Sequence, residues 1–472
     1  MNAPWIREEN EVNRALVYGL GLSGQAAARL LLSRGVEVVG VDEKPAEKLE
    51  LSELAGRIEV LAPGGVPGGL PAGRDFDLVV ISPGVPMDRP LIAEARGRGI
   101  PVIAEVELTF PFLNGPVVAI TGSNGKSTTT ALTGDMVKAG GWAVEVCGNI
   151  GLPLADRVDG PSDRIFVVEL SSFQIEGIHT FKPQAAAYLN LSEDHLDRYG
   201  SLAEYSAAKK RLFRDMDAGG IAVLNADDPE TLTVETAARR RTFSRRGRVE
   251  DGCYADGHGN VIETAPGRPD AALFHASDVP LAGVQNLENA MAAALLARAV
   301  GVAPDAIRRA LIEFRGLPHR LEKVGERGGP QGVTYYDDSK GTNPAATAKS
   351  LEGFADGSVH LILGGRNKGA DLASLAPLVA QKARRVYLIG EAADEFDAAL
   401  SGKIGGVPLE RSGTLDRAVR SAAAVARSGE AVVLSPACAS FDQFRNFNHR
   451  GDVFQELVRE VVKETHGEEA GV

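Results

Sequence analysis

The sequence predicts an α/β protein that contains two or more parallel sheets with helices on both faces. Short β-rich apolar runs alternate with helical stretches early in the chain, at Ala15–Tyr18, Val36–Val41, Leu78–Ile81, Val117–Ile120, Ile165–Val168 and Ala185–Leu189. A second series of such runs lies at Val333–Tyr336, His360–Leu363, Val386–Ile389 and Ala431–Leu434. Short continuous apolar runs separated by helices are typical of strands that are buried on both faces of a parallel sheet.

The length of 472 residues predicts about three domains at roughly 150 residues each. Turn signals occur at Gly115, just before the run Val117–Ile120, and at Gly316, after the helical stretch Pro304–Phe314. Because Gly- and Pro-rich turns commonly separate structural units, we predict domains at residues 1–114, 115–314 and 315–472.

The charge balance argues against a broad anion-binding surface. The chain has 51 Lys+Arg and 63 Asp+Glu residues, which gives a formal net charge of −12. A nucleic-acid or anionic-membrane interface would call for a basic surface. We therefore expect no nucleic-acid partner, and any phosphate-bearing ligand must be held by a few local groups.

Cysteine usage and hydropathy predict a cytoplasmic protein. Cys147, Cys253 and Cys438 lie far apart, without the spacing of a disulfide framework or a zinc site. The first 14 residues have no apolar signal region, and no apolar run approaches 18 residues. We therefore expect no insertion into a membrane.

The strongest motif is a glycine-rich loop between the run Val117–Ile120 and a helical stretch. Gly122 and Gly125 permit a tight turn, Lys126 can reach β- and γ-phosphates, and the Ser127 hydroxyl can ligate Mg²⁺. The usual first glycine is replaced by Ile120. The motif still predicts nucleoside triphosphate binding by Gly122, Ser123, Asn124, Gly125, Lys126, Ser127 and Thr128.

Two further strand ends are expected at the same edge of this sheet. Glu169 follows the run Ile165–Val168, and His195 lies shortly after the run Ala185–Leu189. Ligands of open α/β sheets gather at the carboxyl ends of the strands. Glu169 is therefore a candidate metal ligand, and His195 is either a functional residue or an ordinary loop histidine.

Lys209 occupies a position where an apolar residue is expected. The apolar stripe of the helical stretch that begins at Leu202 passes through Lys209, and its members are Leu202, Tyr205, Lys209, Leu212, Phe213 and Met216. A buried ammonium must be paired, deprotonated or modified. The alternative is that Lys209 extends along the helix edge to solvent, and the sequence leaves both possibilities open.

The N-terminal glycines form a second nucleotide motif. Gly19, Gly21 and Gly24 match G-x-G-x-x-G after a strand and before a helix, and Asp42 ends the next strand. A dinucleotide or another diphosphate such as UDP fits this pattern. A further glycine turn, Ser82 to Gly84, is expected at the same sheet edge.

A polar, turn-rich stretch from Arg239 to Pro269 contains clustered arginines. A solvated surface hairpin or loop region is the favoured interpretation, and a phosphate-binding role is the alternative.

In chain order, these motifs together resemble the Mur ligase family over essentially the whole sequence. The residues that carry the resemblance are Gly19–Gly21, Ser82–Gly84, Thr121–Thr128, Gly148–Gly151, Glu169–Gln174, Glu193–Tyr199, Ala207–Lys209, Asn286–Asn289, Gly316–Arg320, Asp338–Asn343 and Ser435–Phe444. The resemblance implies three domains: an N-terminal Rossmann-like domain for a UDP moiety, a central P-loop ATPase domain, and a C-terminal Rossmann-like domain that closes over an acceptor amino acid.

The resemblance also implies an activity. The runs Glu169–Gln174 and Ser435–Ser440 are most similar to the family members that join D-glutamate to UDP-N-acetylmuramoyl-L-alanine, with ATP and through an acyl phosphate, in cytoplasmic peptidoglycan precursor synthesis. The implied cofactors are ATP and two Mg²⁺ ions, and we expect a monomer.

Site roles follow from the same resemblance. Lys126, His195 and Lys209 would be catalytic. One Mg²⁺ would be held by Ser127 and Glu169, and the second by Glu169, His195 and a carbamylated Lys209. The remaining ATP-binding residues would be Asn286, Asn289, Arg320, Asp338 and Lys340. Substrate-binding residues would be Gly19, Leu22, Ser23, Asp42, Ser82, Gly84, Asn149, Ser171, Thr342, Lys368, Ser440 and Phe447.

Two residues depart from the family pattern, and both concern nucleotide contacts. Gln285 stands where the family often has His, and Lys44 stands where an Arg commonly meets the uracil. Three other functions are alternatives. They are a ligase for another acceptor, including a folylpolyglutamate-synthase-like enzyme, an NAD-dependent oxidoreductase based on Gly19–Gly24, and a nucleotide-dependent switch that hydrolyses ATP without joining anything.

Overall fold

The computed structural model of the protein describes residues 12–62, 64–194, 198–281, 283–329 and 332–469. Within these ranges the strands form three sheets, of five, nine and six strands. Each apolar run predicted as a strand overlaps one of these strands. Two compact units are present, one in the described parts of residues 1–191, 201–276 and 290–311, the other in those of residues 192–200, 277–289 and 312–472.

The five-stranded sheet is formed by the N-terminal residues of the first unit. All its neighbouring strands are parallel, in the order β3-β2-β1-β4-β5. The strands are β1 Arg14–Tyr18, β2 Glu37–Val41, β3 Glu59–Leu61, β4 Leu78–Ile81 and β5 Val102–Ala104, and the helices are α1 Leu22–Ser33, α2 Pro90–Gly97 and α3 Glu105–Thr109. Five strands are one fewer than a full dinucleotide-binding sheet has.

The nine-stranded sheet is the larger part of the first unit. Its strands are β6 Val117–Thr121, β7 Ala143–Gly148, β8 Arg164–Glu169, β9 Ala185–Tyr188, β10 Ile221–Asn225, β11 Arg239–Ser244, β12 Gly252–Ala255, β13 Asn260–Thr264 and β14 Ala271–His275. The helices in this part of the chain are α4 Lys126–Ala139, α5 Ser172–Glu176, α6 Leu202–Arg214, α7 Val284–Ala299 and α8 Pro304–Glu313. Residues 284–289 of α7 and residues 312–313 of α8 belong to the second unit.

The strand order of this sheet brings four strand ends together. The order is β14-β13-β12-β11-β10-β9-β6-β8-β7, and β9, β6, β8 and β7 are mutually parallel neighbours. Their carboxyl ends, at Tyr188, Thr121, Glu169 and Gly148, therefore lie side by side. This is the edge at which ligands of open α/β sheets bind.

The six-stranded sheet belongs to the second unit. Its strands are β15 Glu322–Arg327, β16 Val333–Asp337, β17 Val359–Gly364, β18 Ala383–Ile389, β19 Leu409–Gly413 and β20 Ala431–Ala437. Their order is β15-β16-β20-β17-β18-β19, with only β15 antiparallel to its neighbour. The helices of this part are α9 Pro344–Glu352, α10 Ala376–Lys382, α11 Ala393–Leu400, α12 Leu415–Val425 and α13 Phe447–Glu469.

Two buried carboxylates on α3 join the two sheets of the first unit. Glu107 accepts hydrogen bonds from the backbone N–H groups of Thr180 (2.6 Å) and Phe181 (3.0 Å). Glu105 Oε1 accepts from the Ala155 N–H (2.6 Å), and burial raises the pKa of Glu105 to about 7. These carboxylates satisfy backbone donors that would otherwise be buried without a partner.

The arginine-rich stretch contains a hairpin, as the sequence predicted, and one further strand. It forms β11, β12 and β13, of which β12 and β13 are an antiparallel pair. Arg241 is buried and makes ion pairs with Asp251 (3.1 Å) and Glu263 (2.9 Å). These two ion pairs therefore explain how the Arg241 side chain can be buried.

All three cysteines, Cys147, Cys253 and Cys438, are buried and unpaired. In the part of the chain that the structure describes, no helix combines the length and the apolar character needed to cross a bilayer.

Candidate functional site

The glycine-rich loop between β6 and α4 has the geometry that the sequence predicted. Gly122 has a φ of +151° and Gly125, the residue before α4, a φ of +83°. A Cβ atom at Gly122 would lie 3.1 Å from Leu189 Cβ. Glycine is therefore required at both positions, since L-residues rarely adopt these φ values.

Lys126 lies over the loop that precedes it. Its Nζ donates to the carbonyl oxygens of Gly122 and Ser123, both at 2.9 Å. Ser127 and Thr128 follow in the first turn of α4 and are buried. The N–H groups of a first helical turn lack intrahelical acceptors, and the helix dipole favours an anion there. The loop can therefore hold a phosphate group.

Glu169 is buried at the end of β8, next to this loop. Its Oε1 accepts a hydrogen bond from Asn149 Nδ2 at 2.7 Å. Its Oε2 is also buried, and it has no hydrogen-bond partner among the described residues. A buried carboxylate oxygen without a donor is costly, and carboxylates are preferred ligands of Mg²⁺. Glu169 thus fits the metal-ligand role predicted from the sequence.

Lys209 lies in α6 with only 1% of its surface exposed. Its Nζ donates to the Gly122 carbonyl at 2.9 Å and lies 4.3 Å from the centre of the Tyr205 ring. The alternative that this side chain extends to solvent is therefore wrong. The ammonium is instead paired with the phosphate loop.

His195, which the sequence suggested as a catalytic residue and metal ligand, lies outside the described residues. The described part of this edge thus brings together Lys126, Ser127, Glu169 and Lys209, and Asn149 is hydrogen-bonded to Glu169.

The N-terminal glycine turn is tightly packed. Gly19 has a φ of +88°, its N–H donates to the Val41 carbonyl (2.7 Å), and its carbonyl accepts from Ser82 Oγ (2.7 Å). A Cβ atom at Gly24 would lie 1.8 Å from the Gly19 oxygen, so no side chain fits there. Ser82 therefore serves to close the turn.

Asp42 is buried, and both of its oxygens are engaged in this turn. Oδ2 accepts from the Leu20 N–H (2.6 Å), and Oδ1 accepts from the Lys44 N–H (2.8 Å). A dinucleotide site would use this carboxylate for a ribose hydroxyl. Its engagement in the turn argues against the oxidoreductase alternative. Other predicted substrate residues are accessible here: Leu22 and Gly84 are exposed, and Ser23 is half-buried.

Ser171 has a local structural role in addition to its predicted contact with substrate. It precedes α5, and its Oγ accepts from the Gln174 N–H (3.3 Å), while Gln174 Oε1 accepts from the Ser171 N–H (3.0 Å). This reciprocal arrangement is a capping box.

In the second unit, Asp338 is buried after β16. Its Oδ2 accepts from Ser350 Oγ (2.7 Å) and Ser435 Oγ (2.6 Å), and burial raises its pKa to about 6. Asn286 and Asn289 are also buried, and they are joined by a 3.2 Å hydrogen bond from Asn289 Nδ2 to Asn286 Oδ1. These three predicted ATP-binding residues are thus held by polar contacts.

Two further predicted ATP-binding residues, Lys340 and Arg320, and the predicted acceptor residues also lie in the second unit. Lys340 Nζ is 3.8 Å from the centre of the Phe447 ring, which is a cation–π contact. Phe447 is half-buried, so it is not a plain core residue. Ser440 is buried, Arg320 and Thr342 are half-buried, and Lys368 is exposed in the loop after β17.

Arg450 is a residue that the sequence analysis missed. It is fully buried and donates to Ser339 Oγ (2.9 Å), to the Ser339 carbonyl (2.8 Å) and to the Cys438 carbonyl (3.1 Å). It therefore joins the loops that carry Lys340 and Ser440. No sequence signal marks it, because an arginine in a charged helix is normally a surface residue.

A cluster of His319, Glu322 and Asp337 has the ligand types of a metal site. His319 Nδ1 is 2.7 Å from Asp337 Oδ2, and this contact raises the pKa of His319. Gln455 Nε2 donates to both carboxylates at 3.0 Å. Hydrogen bonds therefore already satisfy the cluster.

Family models match most of the chain. A model described as "Mur ligase MurD-like, N-terminal domain" matches residues 13–104, "Mur ligase middle domain" matches residues 120–297, and "Mur ligase, glutamate ligase domain" matches residues 319–438.

Curated relatives match nearly the full length. A UDP-N-acetylmuramoylalanine--D-glutamate ligase of Acidobacterium capsulatum is 44% identical, covering 94% of this chain and 96% of the relative. The ligase of the same name from Koribacter versatilis is 41% identical, covering 96% and 98%.

Solved structures share the fold at low identity. The MurF ligase of Thermotoga maritima in complex with ADP has a TM-score of 0.60 at 17% identity, covering 96% of this chain and 98% of that one. The UDP-N-acetylmuramate-alanine ligase MurC of Thermotoga maritima has a TM-score of 0.57 at 20% identity, covering 95% and 100%. At such identities the likeness shows the three-domain α/β fold alone.

Proposed function

The chain belongs to the Mur ligase family, and we propose that it joins D-glutamate to UDP-N-acetylmuramoyl-L-alanine, using ATP and releasing ADP and phosphate. The reaction would supply cytoplasmic peptidoglycan precursor synthesis, and the protein would act as a monomer. One observation carries the proposal: the phosphate loop with Lys126 lies beside a buried carboxylate, Glu169, one oxygen of which has no hydrogen-bond partner among the described residues.

The reaction forms one amide bond in two steps. A carboxylate oxygen of the alanyl group attacks the γ-phosphorus, and the bond from that phosphorus to the ADP oxygen breaks. The neutral D-glutamate amine then attacks the acyl carbon, phosphate leaves as the carbon–oxygen bond breaks, and the nitrogen loses one proton. Phosphoryl transfer of this kind depends chiefly on positioning and on charge stabilisation.

The residues of the loop edge suit the first step. Lys126 and the first turn of α4 would bind and orient the γ-phosphate, and Ser127 with Glu169 would hold Mg²⁺. Bound Mg²⁺ would supply charge neutralisation on the phosphate oxygens. Asn149, through its bond to Glu169 Oε1, would fix the orientation of this carboxylate.

Lys209 is proposed to act as a carbamate. Addition of CO₂ to Nζ would replace a buried cation with an anionic, oxygen-bearing group beside the phosphate loop. Together with Glu169 and His195, it would hold the second Mg²⁺. The burial of Lys209 against the Gly122 carbonyl supports this role, because a modified group at this position would be adjacent to bound phosphates.

The remaining predicted residues divide between the substrates. We propose that the Gly19 turn, which Asp42 and Ser82 hold in shape, and Asn149 serve the UDP-muramoyl substrate. Asn286, Asn289, Arg320, Asp338 and Lys340 would serve ATP, and Thr342, Lys368, Ser440 and Phe447 would serve D-glutamate. The phosphate loop does not distinguish D-glutamate from other acceptors, since a ligase for another amino acid would use the same loop.

Phosphate release tests the proposal directly. The purified protein would be mixed with ATP, Mg²⁺ and UDP-N-acetylmuramoyl-L-alanine, and a panel of D- and L-amino acids would be compared. We expect release that requires both the UDP substrate and D-glutamate. Release that is independent of both substrates would indicate an ATPase or switch, and dependence on another amino acid would identify a different ligase.

A further inference from the structure

Asn190, in the loop after β9, is bonded three times to the phosphate loop. Its carbonyl accepts from the Ser123 N–H at 3.0 Å. Its side-chain Oδ1 accepts from the Asn124 N–H at 2.9 Å, and its Nδ2 donates to the Asn124 carbonyl at 3.1 Å. One residue thus engages two successive N–H groups and one carbonyl of the loop.

These bonds fix the orientation of the peptide units at Ser123 and Asn124. A side-chain amide that pairs with both the N–H and the C=O of one residue acts as one more rung of a β-ladder, and it leaves that residue little rotational freedom. Because the N–H groups of Ser123 and Asn124 point towards Asn190, we place the phosphate cradle further on, from Gly125 into the first turn of α4.

Asn190 is itself held in place by the next strand and its loop. Asn225, at the end of β10, donates from Nδ2 to the Leu189 carbonyl at 2.9 Å. Asp228 Oδ2 accepts from the Leu191 N–H at 2.7 Å. The residues on both sides of Asn190 are therefore fixed, so its amide forms a rigid support for the loop.

We infer that Asn190 is a positioning residue for the polyphosphate of the bound nucleoside triphosphate, acting through the backbone of Asn124. This inference rests on the proposed function, because it requires that the loop bind ATP. At Ile120 the loop lacks the usual first glycine, and Asn190 holds the loop from the segment after β9.

The test is nucleotide binding by Asn190→Ala, measured by isothermal titration calorimetry with ADP and Mg²⁺. Loss of two side-chain hydrogen bonds predicts an affinity about 5- to 150-fold weaker. In the ligase assay, KM for ATP should rise, while KM for the UDP substrate stays within about threefold. Asn260→Ala is the matched control. Asn260 is also half-buried, and its Nδ2 donates a hydrogen bond to Asp256 Oδ2 (2.9 Å) in a turn.

A second variant covers the case in which Asn190→Ala does not fold. Asn190→Asp preserves the volume and the acceptor for the Asn124 N–H, but it places an oxygen against the Asn124 carbonyl. It should weaken ADP binding at least as much while its circular dichroism spectrum remains native. Native ADP affinity in either folded variant would overturn the inference. This holds even if the melting temperature of the variant is lower than that of the wild type. If the wild-type protein binds no ADP, the proposed function fails instead.

Discussion

Lys126 and Lys209 donate hydrogen bonds to the same atom, the carbonyl oxygen of Gly122, and each donor–acceptor distance is 2.9 Å. The two lysines come from different helices, α4 and α6, and they are 83 positions apart in the sequence. Two ammonium groups on one carbonyl create a concentration of positive charge beside the phosphate loop. This arrangement suits an anionic ligand, and it raises the question of which lysine remains a cation during the reaction.

Replacement of Lys209 by Ala should abolish the ligase activity, and short carboxylic acids should partly restore it. We expect a loss of at least about 100-fold, the range seen when one charge-stabilising group is removed from an active site. A small carboxylate can occupy the vacated space and supply the oxygens that a carbamate would provide. Phosphate release with and without formate, acetate or propionate measures the effect.

Lys210→Ala is the control for this variant. Lys210 makes an ion pair with Glu230, and its side chain is 26% exposed, so its loss should cost at most about 1 kcal/mol of stability and little activity. A folded Lys209→Ala protein that no acid reactivates would contradict the carbamate.

Glu169→Gln should raise the Mg²⁺ concentration that the reaction requires. The substitution removes the charge while keeping an oxygen that can accept from Asn149 Nδ2. We expect at least a tenfold increase in the half-maximal Mg²⁺ concentration, comparable to the roughly 10- to 100-fold effects of altered metal surroundings. A Mg²⁺ titration of phosphate release provides the measurement.

Glu145→Gln is a matched variant on the neighbouring strand β7. Glu145 pairs with Arg164 at 3.1 Å, so its replacement should lower stability without changing the Mg²⁺ requirement. An unchanged requirement in Glu169→Gln would exclude Glu169 as a ligand.

Glu105→Gln should become relatively more stable as the pH rises. Burial raises the pKa of Glu105 from 4.5 to about 7, so the folded state binds this proton more tightly than the unfolded state does. The free energy of unfolding of the wild type therefore falls as the pH rises from about 4.5 to about 7. Between pH 5 and pH 8 the free energy of unfolding of the variant should rise by about 2 to 3 kcal/mol relative to that of the wild type. Urea unfolding at the two pH values measures this change, and a difference independent of pH would show that Glu105 ionises normally.

Ser171→Ala should separate the capping role of this serine from its predicted contact with substrate. Loss of the N-cap should lower the free energy of unfolding by about 1 kcal/mol. If Ser171 also contacts the UDP substrate, KM for that substrate should rise as well.

Ser201→Ala provides the comparison, because Ser201 caps α6 by accepting from the Glu204 N–H at 3.2 Å. It should lower stability by a similar amount without raising KM. Equal KM values in both variants would leave Ser171 with the capping role alone.

Much of the fold was predictable because it depends on local patterns. The strand, loop and helix from Val117 through Lys126 follow from short-range backbone preferences, and buried parallel strands have a characteristic apolar run. Strands without such a run were missed, including β11, where Arg241 is buried only because Asp251 and Glu263 neutralise it. The boundaries near residues 114 and 314 stay predictions.

The sequence by itself determined the phosphate loop, the carboxylate at the end of β8 and the unusual position of a lysine on the apolar face of α6, since each is encoded within one element. Only the tertiary structure decided that Lys209 reaches the Gly122 carbonyl, that Asn190 supports the loop from 66 residues away, and that Arg450 contacts Ser339 from 111 residues away. The physical reason is that a hydrogen bond between distant residues depends on which strands become neighbours, and the strand order is a property of the assembled sheets.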